Sequence, residues 1–123
     1  MQAEIGVIGG TGIYDPKLLK NVEEVTLDTP YGAPSDAITL GELAGRKVAF
    51  LARHGNKHTI RPTNVNSRAN LFALKKLGVK RVLASSTVGS LREEYKPGEI
   101  VFVDQFIDRT TRREESFYTE NRV

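Results

Sequence analysis

Residues 50–70 read FLARHGNKHTIRPTNVNSRAN. The stretch begins as the end of an apolar run, Val48-Ala49-Phe50-Leu51, and breaks abruptly at Arg53-His54-Gly55. Just beyond the break stand an arginine, a lysine and the chain's two histidines, His54 and His58. An arginine and a histidine at the end of a buried strand make a ready anion site. The guanidinium offers a planar fork of donors, and imidazole donates as a neutral ring or as a cation. The bland alternative is a basic surface turn in which one histidine caps a neighbouring group.

Working back from the break, Ala37–Leu43 and Lys47–Leu51 flank Ala44-Gly45-Arg46, which predicts a hairpin whose second strand delivers Arg53 and His54. Working forward, Asn64 or Asn66 is positioned to cap a helix reaching Leu77 and closed by Gly78. Val65, Ala69, Phe72, Ala73 and Leu77 would line its buried face, and Lys75 and Lys76 suit its C-terminal dipole.

Two further strands end in donor-rich breaks. Glu4–Ile8 reads as a short buried strand cut off by Gly9-Gly10-Thr11-Gly12, where backbone amides and the Thr11 hydroxyl can converge on a small anion. Asp15-Pro16 then predicts a short helix through about Lys20, and Val22–Leu27 a strand before the loop at Thr29–Pro34. Lys80–Ala84 predicts a buried strand running into Ser85-Ser86-Thr87-Val88-Gly89-Ser90. Leu91–Tyr95 reads as a helical turn, Lys96–Glu99 as a turn, and Ile100–Val103 as a last strand. In open α/β sheets ligands sit at the carboxyl ends of strands. Three such ends offer Thr11, Arg53 with His54, and Ser86 with Thr87, which points to a pocket for phosphate or a phosphate-like group. Gly6, Gly9 and Gly12 tempt a dinucleotide-binding reading, but Tyr14-Asp15-Pro16 interrupts the long helix that such a fingerprint requires.

Composition bounds the rest. At 123 residues and 39% hydrophobic content the chain can build one domain with a core, and hardly two. No apolar run approaches a membrane span, and MQAEIGVIGG lacks the basic start of a signal peptide, so a cytoplasmic protein is expected. Without cysteine there is neither a disulfide nor a thiolate metal site. The net charge of +3 is spread in mixed order, with Arg112-Arg113 followed at once by Glu114-Glu115, which argues against a nucleic-acid footprint.

IGVIGGTGIYDP, TPYGAPSDAITLGEL, LARHGNKHTIRPTNVNSRANLFALKKLGV, GSLREEYKPGEIV and DQFIDRTTRREESFY together resemble the N-terminal part of the 5′-methylthioadenosine phosphorylases. These form part of the trimeric branch of the purine nucleoside phosphorylase family. The combination of RHG, a following His and Pro, VN-x-RAN and GSL is specific, and DQFIDRTT favours the methylthioadenosine type over the 6-oxopurine enzymes. Relatives acting on methylthioinosine share much of it.

The resemblance implies an α/β fold, a mixed twisted sheet flanked by helices, with residues 1–123 forming the N-terminal half of one domain. It implies a pentosyltransferase of purine and methionine salvage that cleaves 5′-methylthioadenosine with phosphate to adenine and 5-methylthioribose-1-phosphate. Phosphate is the co-substrate, and no metal or organic cofactor is expected. Carried over position by position, Thr11 binds phosphate through hydroxyl and amide, Arg53 and His54 bind and orient it, and Ser86 and Thr87 complete the cradle. Thr87 stands where relatives commonly carry alanine, which implies a backbone contact. No residue of the chain is assigned a catalytic role; His58 lies near the site, and Pro62 and Val65 approach the sugar or an adjoining subunit. The purine- and 5′-group-reading residues are expected on a C-terminal-half polypeptide that completes the enzyme, in a homotrimer or hexamer without nucleic acid or membrane. The alternatives are a non-catalytic anion-binding or assembly fragment of the same fold, and a phosphorylase of another purine nucleoside.

Overall fold

The computed structural model describes residues 2–10 and 15–118. Among these residues five strands form one mixed sheet: β1 (Ile5–Gly9), β2 (Lys20–Val25), β3 (Ile38–Leu43), β4 (Arg46–Ala52) and β5 (Arg81–Ala84). Their order across the sheet is β2-β3-β4-β1-β5. β1 lies inside the sheet, next to the edge strand β5, and runs parallel to both neighbours, with Ile5 opposite Val48 on one side and Arg81 on the other. β2, β3 and β4 form an antiparallel meander, with Leu40 opposite Ala49. One α-helix, α1 (Ser67–Lys76), joins β4 to β5. The α/β reading with a mixed sheet holds, and α1 is its only full helix among the described residues.

The core lies between the sheet and α1. Leu40, Ala49 and Leu51 from the sheet and Ala73, Leu74 and Leu77 from the helical segment form one buried cluster with Ala3 and Ile38. Ala69, Ala73 and Leu77 are buried as their spacing predicts, while Val65 and Phe72 are only half-buried. Leu74, absent from that predicted face, is fully buried, and so is the polar Asn70.

Both ends of α1 are closed by local chemistry. The Asn66 side chain accepts the Ala69 N–H at 3.1 Å and so is the cap, while Asn64 ends a separate 3-10 turn, Pro62–Asn64. At the other end Gly78 takes a φ of +87°, its N–H bonds the Lys75 carbonyl, and the Val79 N–H bonds that of Leu74. That pair of bonds is a Schellman closure, which needs a residue tolerant of the left-handed region.

Several expectations are corrected. The stub after Asp15 is a single 3-10 turn, Pro16–Leu18, with the Asp15 carboxylate accepting the Lys17 N–H, and β2 begins already at Lys20. β5 is exposed along its whole length because it sits at the sheet edge with only β1 beside it and no described helix or strand packs over its faces. Residues 100–103 form no strand, since no described residue offers them a ladder, and Ile100, Phe102 and Val103 stand largely in solvent. Leu91–Tyr95 contains bends and a turn instead of a helical turn, whereas the turn at Lys96–Glu99 is present, with the Glu99 N–H on the Lys96 carbonyl. No described helix is long and apolar enough to cross a membrane.

The hairpin of β3 and β4 turns through Ala44 and Gly45, both at positive φ (+48° and +75°), the geometry of a type I′ turn. Alanine is poorly suited to that region, and Asn-Gly is the favoured pair. Ala44 is exposed, so Ala44→Asn is expected to raise stability by up to about 1 kcal/mol, read as a higher urea midpoint; a lower midpoint contradicts the turn assignment.

Candidate functional site

The parallel arrangement of β1, β4 and β5 brings their carboxyl ends side by side. Arg53 directly follows β4, and its N–H bonds the Gly9 carbonyl at the end of β1 at 3.0 Å. Its guanidinium reaches the third strand end, where Nη1 donates to the Ser85 carbonyl at 2.9 Å. Nη2 lies over the start of the glycine turn, 3.7 Å from where a Cβ on Gly10 would stand. Arg53 therefore bridges all three strand ends. It is half-buried, so its charge is partly shielded from water while remaining reachable.

The turn after Arg53 is tightly wound. The Gly55 N–H bonds the Ala52 carbonyl, the His58 N–H bonds that of Gly55, and the Ile60 N–H returns to that of His54. The His54 ring is fixed at both nitrogens. Nδ1 pairs with the Ile60 carbonyl at 2.9 Å, and Nε2 accepts from Arg53 Nε at 3.3 Å. A carbonyl can only accept, so the proton of neutral His54 belongs on Nδ1. In this arrangement His54 orients the guanidinium and turns its Nη2 toward Gly10. His58 stacks obliquely on His54 with ring centroids 5.0 Å apart.

Ser86 and Thr87 leave the end of β5 and are exposed beside Arg53's anchor at Ser85. Thr11 lies outside the described residues. Ser85 and Ile60 were not legible as site residues, because both hold the site through backbone carbonyls, which leave no mark in a sequence. A cavity of about 30 Å³ behind the strand ends is lined by Gly9, Gly10, Thr39, Phe50 and Ala52, among others. It has room for about one water and none for a nucleoside. A larger open groove of about 680 Å³ lies at the opposite end of the sheet, beside Arg46, Lys47 and Lys80, far from this chemistry. No described cluster of three or more His, Asp or Glu side chains could hold a metal ion.

A sequence profile of the phosphorylase superfamily matches residues 4–122, nearly the entire chain. The chain belongs to the phosphorylase superfamily. An S-methyl-5′-thioadenosine phosphorylase from Hyperthermus butylicus is 57% identical over 123 residues, all of this chain and 45% of that relative. A crystal structure of a methylthioadenosine phosphorylase from an Antarctic soil metagenomic library superposes with a TM-score of 0.91. It is 49% identical, over 97% of this chain and 42% of that one. The methylthioadenosine phosphorylase of Schistosoma mansoni in complex with adenine gives a TM-score of 0.88 at 42% identity, over 98% and 43% of the two chains. The chain thus spans a little under half the length of these phosphorylases.

The Ser85 hydroxyl is buried without a hydrogen-bond partner among the described residues. Its carbonyl, not its hydroxyl, holds Arg53. Ser85→Ala is therefore expected to be neutral or to stabilise by up to about 1 kcal/mol, since it removes an unsatisfied polar atom; a clear loss in thermal unfolding would show that the hydroxyl has a partner.

Proposed function

We propose that this chain is the phosphate-binding half of a methylthioadenosine phosphorylase. Completed by a second polypeptide that carries the rest of the fold, it would cleave 5′-methylthioadenosine with phosphate to adenine and 5-methylthioribose-1-phosphate. The observation that carries this reading is Arg53, half-buried and bridging three parallel strand ends through the Gly9 and Ser85 carbonyls. The high identity to methylthioadenosine phosphorylases over the whole chain supports the nucleoside.

Breaking an N-glycosidic bond builds positive charge on the sugar, as in other oxocarbenium-like glycosyl reactions. A phosphate dianion held beneath C1′ stabilises that charge. One of its oxygens then forms the new C1′–O bond as the old bonding pair leaves with the base, and the proton that phosphate carries as the monohydrogen dianion ends on adenine. The protein need only position and shield the reactants, with no covalent intermediate. In this proposal Arg53 is the main phosphate ligand, and His54 fixes the angle of its guanidinium. Thr11, Ser86 and Thr87 supply the remaining donors, and no further cofactor is required.

A completing polypeptide is supported by the open edge of β5 and by the apolar residues that follow it. Val88, Leu91, Ile100, Phe102, Phe106 and Ile107 are all well exposed, as is Leu83 within β5. So many large apolar side chains left in water along one segment mark a site of association. The complete enzyme would be a trimer or hexamer of such pairs.

The decisive experiment pairs native mass with turnover. A second polypeptide bound to the 13.6 kDa chain, with phosphate-dependent release of adenine, supports the proposal. Only multiples of this chain, with no adenine released, would make it a non-catalytic member of the fold. In the active complex Arg53→Ala is expected to abolish phosphate-dependent turnover; near-normal phosphate kinetics in that variant would sink the assignment.

A further inference from the structure

We propose that Asp36 is a positioning residue for the anion-binding turn, clamping it to the core of α1 through its carboxylate. This rests on the reading of the Arg53 turn as a phosphate site. Asp36 Oδ2 accepts the backbone N–H of Asn56 at 2.5 Å, inside the turn that begins at Arg53, while Oδ1 accepts the N–H of Ala37 at 2.8 Å. The preceding residue is pinned just as firmly. The Ser35 N–H donates to Asn70 Oδ1 at 2.8 Å, and Asn70 Nδ2 donates to Ser35 Oγ at 2.9 Å. Asn70 is 2% exposed within α1, so this pair is built into the core. A few residues earlier, Asn66 Nδ2 donates to the Tyr31 carbonyl at 2.7 Å. The segment before β3 is thus stapled to the start of α1 at two points, and Asp36 carries that rigidity across to the turn.

Gly55 shows how close the two strands of chain run. It takes a φ of +74°, and a Cβ there would stand 3.5 Å from the Ser35 carbonyl oxygen and 3.7 Å from Asp36 Oδ2. A carboxylate beside an anion site is unfavourable by charge alone. Its presence is explained by what it holds. An ionised acceptor makes stronger bonds to amides than a neutral one, and a turn that presents a guanidinium gains from having its backbone fixed before the anion arrives. The buried Asn70, otherwise an odd choice for a core position, supplies with the half-buried Ser35 the fixed end of the clamp.

The proposal predicts the sign of a substitution. If Asp36 is only a neighbouring charge, Asp36→Asn removes repulsion and tightens phosphate binding, while Asp36→Glu leaves it unchanged. If Asp36 positions the turn, both variants weaken binding, by roughly tenfold. Asp36→Asn keeps the shape and one acceptor, and Asp36→Glu keeps the charge but displaces it by a methylene. Inorganic phosphate would be titrated into the ¹⁵N-labelled 123-residue chain and both variants, followed at the amides of residues 53–56. The exchange rate of the Asn56 amide and the melting temperature would be measured alongside. Weaker binding in both variants, with faster Asn56 exchange and little change in melting temperature, supports the clamp. Phosphate binding that is unchanged or tighter in Asp36→Asn overturns it, as does Asn56 exchange as slow as in the parent. A parent chain that takes up no phosphate would instead overturn the phosphate reading of the turn, and Asn56 exchange would still decide whether Asp36 holds it.

Discussion

The structure depends on the parallel pairing of β1 with both β4 and β5. Because those three strands point the same way, their carboxyl ends open at one edge of the sheet, and the chain leaves each of them through a different polar segment. Arg53 closes this edge. Its amide continues the β1–β4 ladder by one bond, and its side chain crosses β1 to the Ser85 carbonyl. A single residue thereby ties together two strand ends that share no ladder with each other. The same half-buried charge holds the strand ends together through the Ser85 carbonyl.

The two halves of the chain differ in how their apolar residues are covered. Up to Val79, the large side chains between the sheet and α1 are buried, Ile38, Leu40, Leu51 and Leu74 almost completely. From β5 onward the pattern inverts, and Leu91, Ile100, Phe102 and Ile107 lie open to water. The later segment still returns to the body at one place. Tyr31 makes edge contacts with Phe72 and Phe117, and Arg68 lies over the Tyr31 ring while pairing with Glu114. Residues 85–112 are therefore anchored at both ends, at the sheet and at this aromatic cluster.

Much of this was legible in the sequence because it is written in local chemistry. The hairpin declared itself through Ala44-Gly45 between two apolar runs, and the helix end through Gly78. The three strand ends declared themselves where apolar runs stop at Gly9, Arg53 and Ser85. What escaped reading depends on partners distant in sequence or on atoms every residue shares. Choosing Asn66 over Asn64 as the cap required knowing which amide it meets. Asn70 was invisible in a pattern of apolar spacing because its place in the core is secured by hydrogen bonds to Ser35. The carbonyls of Ile60 and Ser85, which settle the geometry of His54 and Arg53, have no side-chain signature. The exposure of β5 and of residues 100–103 could not be read either. An apolar run states a need for cover without stating where the cover comes from.

The place of β1 between β4 and β5 also has a kinetic meaning. It is made before the other four described strands and is among the last able to settle, since its partners are residues 46–52 and 81–84. The β3–β4 hairpin, closed by two residues, can form as soon as it is made, and α1 can wind against it. β1 must then enter the slot beside β4 across a long loop, and such non-local closure is the slow kind. The edge that gathers Gly9, Arg53 and Ser85 is consequently assembled late. Until β1 is seated, the arginine has no strand end to bridge, so the Arg53 bond to the Ser85 carbonyl would report the completed sheet and not the early hairpin.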